Sequence, residues 1–162
     1  MRPPREKITP ADLPDSAKIL SMSGLDFMRG IQDGTLAPPP ISQSMGFWTD
    51  EVEKGRVMLR AVADFAHCNP TGGVHGGWYG VLLDSCMSCA VMTEVPKGSF
   101  YTTLEYKVNI TRAVPVGTEV VATGIVQHAG RTTSVANGEV RGATDGRLYA
   151  TGSVTCLIMT PE

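Results

Sequence analysis

The spacing of hydrophobic positions changes along the chain. Between residues 11 and 34, Ile19, Leu20, Leu25, Phe27, Met28 and Ile31 recur at roughly helical spacing. Asp15 or Ser16 is placed to cap a first short helix, and Gly34 to end a second. The run APPPIS (37–42) breaks any helix and predicts an extended connector. From Met45 the period becomes that of strands. SMGFWTDEVEKGRVMLRAVA is interrupted at Glu-Lys-Gly, which predicts a hairpin turning near Lys54–Gly55. Residues 75–93 contain no proline and suit a helix of about five turns. Four strand-like runs follow, at 99–114, 117–130, 131–143 and 144–159. Turn signals at Pro115–Gly117, Ala129–Gly130 and Asp145–Gly146 predict an antiparallel meander of long strands.

The helix at 75–93 has no polar stripe. Such a helix is stable only when something wraps around it, and the strands are the one object available. The pattern therefore predicts an α+β architecture, a curved sheet around one helix. Residues 1–45 are too short to bury a core alone. They are expected to form a helical N-terminal extension packed on a main domain of residues 46–162.

Composition narrows the partners. The 162 residues fit one domain, with 42% hydrophobic and 19% charged residues. A net charge of −2 offers no general attraction to nucleic acid or to an anionic membrane. The N-terminal stretch has no apolar run resembling a signal peptide, so the cytoplasm is the expected location and the four cysteines are expected as free thiols. The longest apolar run, from Val74 to Val95, carries Asp84, Glu94 and glycines, which is poor material for a membrane span.

Several chemistries find little support. His67, Cys68, His75, Cys86 and Cys89 lie close in sequence, yet no second C-x-x-C or H-x₃₋₅-H set completes a zinc site. Cys86 and Cys89 sit mid-helix, away from the helix N-terminus that redox C-x-x-C chemistry uses. No metal and no redox cofactor is expected. The loop GGVHGG is neither a dinucleotide fingerprint nor a P-loop. Its glycines do leave backbone N–H groups open at a helix N-terminus, where negative charge is favoured. No G-x-S-x-G elbow is present for a serine nucleophile.

Asn69, His75 and Asp84 remain. Asn69 precedes Pro70 and is also an ordinary turn residue. His75 is also an ordinary helix-start residue. Asp84 fits no ordinary role. Val81, Leu82, Leu83, Cys86, Met87, Cys89 and Ala90 cover every face of its helix, and no Lys or Arg lies within one turn. A buried carboxylate without a partner costs several kcal/mol or shifts its pKa upward. That expense points to function.

NPTGGVHGG (69–77), followed by Leu82-Leu83-Asp84, resembles the N-x-x-G-x-x-H-G-G…D pattern of the PaaI-like acyl-CoA thioesterases, a hotdog-fold family. Asn69, Gly72, His75, Gly76, Gly77 and Asp84 match in order and spacing. The likeness continues through TTLEYKVNITRAVPVGTEVVATGIVQHAGRTT and covers about residues 46–160. It implies a long antiparallel sheet wrapped around one central helix. It also implies a homodimer or dimer of dimers, with active sites between subunits and acyl-CoA as substrate. The Gly76 N–H would hold the oxyanion, and Asp84 would act as general base or nucleophile. Asn69 would orient water or carbonyl, and His75 would hold the loop, with Gly77 beside it against the substrate. Thr103 would orient the water, with Thr102 as the neighbouring alternative. Arg131 matches the family's Gly-Arg position and would meet a coenzyme A phosphate, with Arg112 a weaker candidate. Two other functions stay open: a hotdog enoyl-CoA hydratase or dehydratase, and a non-catalytic acyl-CoA binder. Aryl, short and medium acyl groups are all admitted. Met22, Phe27, Met28, Trp48, Trp78 and Tyr79 are candidate pocket or core residues.

Overall fold

The computed structural model describes residues 7–161. Three short helices come first: α1 (Ser16–Leu20), α2 (Gly24–Asp33) and α3 (Ile41–Ser44). Asp15 caps α1 by accepting the Lys18 N–H at 2.7 Å, and Gly34 ends α2 with a φ of 85°, a conformation glycine adopts freely. Helix α3 departs from expectation. Pro38 and Pro39 lie in irregular chain, but Pro40 is already helical (φ −54°, ψ −32°), and one helical turn starts directly after it. Proline cannot sit inside a helix but opens one readily.

Strands β1 (Phe47–Glu53) and β2 (Arg56–Val62) form the expected hairpin, with Gly55 at its turn. The central helix α4 (Gly76–Met92) follows, then β3 (Phe100–Ile110), β4 (Glu119–Ala129), β5 (Thr133–Gly142) and β6 (Leu148–Met159). All pairings are antiparallel, in the order β1-β2-β4-β5-β6-β3. Eleven of the 17 residues of α4 are buried, as expected for a helix with no polar stripe.

The expected meander needs one correction. Strands β4, β5 and β6 do run as a meander, but β3 does not neighbour β4. It pairs with β6 at the far edge. The Pro115–Gly117 signal is a real turn, yet it lies inside a crossover spanning 111–118. The buried Tyr79 hydroxyl of α4 accepts the Val114 N–H at 2.8 Å and holds this crossover over the helix. A turn signal reports a local reversal, and the pairing partner is decided elsewhere.

The sheet accepts α4 through three glycines. Gly124 of β4 pairs with Gly138 of β5, which pairs with Gly152 of β6. A side chain at Gly124 would run into the Cys86 carbonyl of α4, one at Gly138 into Met87, and one at Gly152 into the Lys107 carbonyl of β3 and then Met87. The helix therefore lies directly on this stripe, where strand glycines permit close backbone approach.

The extension is fastened at both ends. The Gly24 N–H donates to the Val95 carbonyl and the Gly98 N–H to the Leu20 carbonyl, each at 3.0 Å. Further on, the Trp78 indole donates to the Met45 carbonyl at 2.9 Å, and the His67 ring bonds the Ser44 carbonyl at 2.8 Å. No helix among the described residues is long and apolar enough to cross a membrane.

Candidate active site

The glycine loop is organised by Asn69. Its side-chain oxygen accepts from the Thr71 N–H (3.0 Å), the Thr71 hydroxyl (2.7 Å) and the Gly73 N–H (3.2 Å). Two of these partners are backbone donors, so the amide orientation is fixed with its NH₂ turned away from the loop. Backbone bonds join Asn69 N–H to Gly73 and Gly72 N–H to Asn69, with Gly72 at a φ of 82°. Asn69 is thus a turn residue whose amino group is left over for other work.

His75 is the N-cap of α4. Its Nδ1 accepts the Gly77 N–H at 2.9 Å, and its carbonyl accepts the Trp78 N–H at 3.0 Å. With Nδ1 accepting, the neutral ring carries its proton on Nε2, and the ring is exposed. The Gly76 N–H, first in the helix, is one of the donors that helix geometry leaves unpaired. His75, Gly76 and Gly77 are all exposed.

Asp84 lies two turns further along α4 and is half-buried. Thr103 of β3 donates its hydroxyl to Asp84 Oδ1 at 3.0 Å. Burial pushes the Asp84 carboxyl above its ordinary value of 3.8, and the Thr103 hydrogen bond partly opposes that rise. Of the two threonines, Thr103 is the one that reaches Asp84. Thr102 is exposed on the opposite side of the strand, because successive strand residues point to opposite faces. A bulge follows at once: Thr103 pairs with Cys156 and Glu105 with Thr155, leaving Leu104 extra. The bulge switches the inward set from Tyr101 and Thr103 to Tyr106 and Ile110, whose side chains reach Gly80 and Gly76 of α4.

Asp84 and Thr103 stand in the wall of a cavity of about 420 Å³. Phe27, Met28 and Trp48 also line it, whereas Trp78 and Tyr79 are core. The thiols nearby are held protonated. Burial, then the Asp84 charge, pushes Cys89 up to about 12. Burial also pushes Cys156 up to about 11, and Cys86 higher. Among the described residues, no group of three or more His, Cys, Asp or Glu side chains is placed to hold a metal ion.

One chain does not bring all the predicted residues together. Eight residues separate Gly76 from Asp84 along α4, which at 1.5 Å per residue is about 12 Å. Asn69, His75, Gly76 and Gly77 form one cluster, and Asp84 and Thr103 another. Arg131 lies exposed in the β4–β5 connection, and Arg112 lies exposed after β3.

Comparison with known proteins gives this arrangement a family. The model of the thioesterase superfamily matches residues 71–149, from the glycine loop through the start of β6. A thioesterase family protein from Silicibacter pomeroyi is 25% identical, with a TM-score of 0.74 over 83% of this chain and 99% of that one. The chain belongs to the thioesterase superfamily. A phenylacetic acid degradation-related protein from Ralstonia eutropha is 26% identical, with a TM-score of 0.73 over 81% of this chain and 98% of that one. A conserved protein from Pseudomonas aeruginosa is 30% identical, with a TM-score of 0.70 over 75% and 95%. A Caenorhabditis elegans protein provisionally named an esterase is 31% identical over 105 residues. That match takes in 65% of this chain, and the chain spans 62% of the length of that curated relative. The sheet wrapped on α4 is the hotdog fold of these thioesterases, with the short helices added at its N-terminus.

Proposed function

We propose that this member of the superfamily hydrolyses an acyl-CoA thioester to a free carboxylic acid and coenzyme A. The observation that carries the reading is the Asp84 carboxylate, raised in pKa by burial and tied to Thr103 in the wall of an apolar cavity. A raised pKa makes the carboxylate a stronger base. Asp84 takes a proton from water as the water attacks the thioester carbonyl. A direct attack by Asp84 would instead form an anhydride that water must resolve. Thr103 orients the carboxylate and the water. The Gly76 N–H and the helix N-terminus stabilise the oxyanion, a donor worth about 10²–10³ in rate. The NH₂ of Asn69 and the Nε2–H of His75 hold the carbonyl or the water. Gly77 keeps the loop close to the substrate, and Arg131 meets a coenzyme A phosphate.

The 12 Å between Gly76 and Asp84 supports a site shared by two copies of the chain. Strand β3 is a long edge strand with exposed Leu104, Tyr106 and Ile110, a surface that invites pairing. Consider two β3 edges paired antiparallel about Tyr106. Ile110 of one copy then falls beside Thr102 and Thr103 of the other. Gly76 packs against Ile110 within its own chain. The partner's Gly76 thereby approaches Asp84. A homodimer, or a dimer of dimers, completes the site.

The test is thiol release from a panel of acyl-CoA thioesters, with Asp84→Asn beside the wild type. Release by the wild type and a fall of about 10²–10⁴ in the variant are expected. No release from any thioester sinks the hydrolase. Hydration of an enoyl-CoA in its place identifies a hydratase, and binding without turnover identifies an acyl-CoA binder.

A further inference from the structure

The cavity beside Asp84 is built largely by the N-terminal extension. Of the 23 residues that line it, 12 lie between Leu13 and Ser42. Helix α1 contributes Ile19, helix α2 contributes Phe27 and Ile31, and Pro38–Pro40 close another side. Among the described residues, Asp84 is the single charged side chain in the lining. The polar pair deeper inside is already satisfied, since the Tyr101 hydroxyl donates to Ser88 Oγ at 3.1 Å. Among the described residues, no Lys, Arg or His in the wall could pair with an anionic group at the far end of a ligand.

The wall is fixed in place. Helix α2 starts at Gly24, where any side chain would strike the Met92 carbonyl at the end of α4. The Gly24 N–H bonds the Val95 carbonyl, and the Gln32 amide bonds the Asp50 carbonyl at 2.8 Å. The extension is therefore seated on both α4 and β1, with its apolar side turned to the cavity. At about 30 Å³ for each water-sized group, 420 Å³ admits at most about fourteen groups of that size.

We propose that this cavity is the acyl pocket and that the N-terminal extension sets the acyl class: an uncharged apolar acyl group of about eight to twelve carbons. The proposal rests on the hydrolase reading for its carbonyl end and goes beyond it in naming the group and the wall that selects it. An acetyl group would leave the cavity empty. A succinyl group would bring a second carboxylate toward Asp84 with no cation to meet it. Each methylene added should raise kcat/KM about fourfold until the cavity is full.

The test uses the full chain and saturated acyl-CoA thioesters from two to sixteen carbons, with succinyl-CoA added. Wild type should peak near eight to twelve carbons and turn over acetyl-CoA and succinyl-CoA at least tenfold more slowly. Ile19→Trp fills the pocket from the extension and should move the optimum to shorter chains. Phe27→Ala enlarges it and should move the optimum to longer ones. Active variants with an unmoved chain-length profile overturn the proposal, and so does succinyl-CoA turned over as well as its uncharged counterpart. Calorimetric binding of decanoyl-CoA and of free coenzyme A to Asp84→Asn separates the two readings. Chain-dependent binding to Asp84→Asn, weakened when Ile19→Trp is added, would uphold the pocket; if the wild type then releases thiol from no thioester, the pocket stands and the hydrolase falls. Decanoyl-CoA binding no tighter than coenzyme A would overturn the pocket whatever the turnover.

Discussion

Thr103 on β3 donates its hydroxyl to Asp84 on α4 at 3.0 Å, and this bond joins the sheet edge to the central helix at the proposed reacting centre. It is the one influence that lowers the carboxyl's pKa against burial. Thr103→Ala removes it. The Asp84 pKa then rises further, so the acid limb of the kcat/KM profile moves to higher pH. Folding stability falls by about 1 kcal/mol, the usual net worth of such a bond. Thr103→Ser keeps the hydroxyl and should return both the limb and the stability. A pH–rate profile of the three proteins checks this; an acid limb that stays put in Thr103→Ala removes the pair from the mechanism.

Asp84 also opposes folding. Its folded-state pKa lies above the unfolded value near 3.8, so the ionised form is penalised in the folded state. Between those two values the folded protein binds more protons than the unfolded chain, and stability falls as pH rises. The penalty is complete above the folded pKa and absent below the unfolded one. Asp84→Asn should therefore melt at a higher temperature than wild type at neutral pH, while losing activity. The gap should close as pH falls through the folded-state pKa. Melting curves across that range decide it, and a variant less stable than wild type at pH 7 contradicts the argument.

Much of this was legible in the sequence because it is local. The central helix shows as a proline-free apolar run, and it forms at Gly76–Met92. Asp84 stands out because its neighbours on the helix are apolar, and burial does raise its pKa. What escaped depends on distant partners. The place of β3 beside β6 follows from a crossover held by Tyr79, and no turn signal encodes that. The bulge at Leu104, which changes which residues of β3 face α4, has no composition of its own. Phe27 and Met28 looked equally like core, because the cavity exists only where the extension meets Asp84. The glycines at 124, 138 and 152 did carry a signal. Isolated glycines within three strands mark a close backbone approach.

That glycine stripe makes a stability prediction independent of catalysis. A Cβ at Gly124 would collide with the Cys86 carbonyl. The obstacle is backbone in the centre of α4, which cannot swing aside as a side chain does. Gly124→Ala should cost about 3 kcal/mol, at the upper end of overpacking. For a chain of this size that lowers the melting temperature by roughly 6–12 °C. Gly138→Ala meets chiefly the flexible Met87 side chain, with the Thr123 carbonyl further off at 3.2 Å, and should cost less. Thermal unfolding of the two variants tests whether α4 rests on β4 as closely as described. An equal, small loss in both would mean that it does not.

His75 combines a structural and a chemical task, and one pair of substitutions separates them. Its Nδ1 caps α4 at the Gly77 N–H, while its exposed Nε2 is left to face a substrate. His75→Ala removes both and should cost about 1 kcal/mol of stability together with activity. Asparagine is among the best N-cap residues, and its side-chain oxygen can take the Gly77 N–H. His75→Asn should therefore recover most of the lost stability. It cannot restore a donor where Nε2 stood, so kcat should stay low while the melting temperature returns. If His75→Asn regains full thioester hydrolysis, His75 serves only as the cap. The oxyanion and carbonyl contacts would then fall to Gly76 and Asn69.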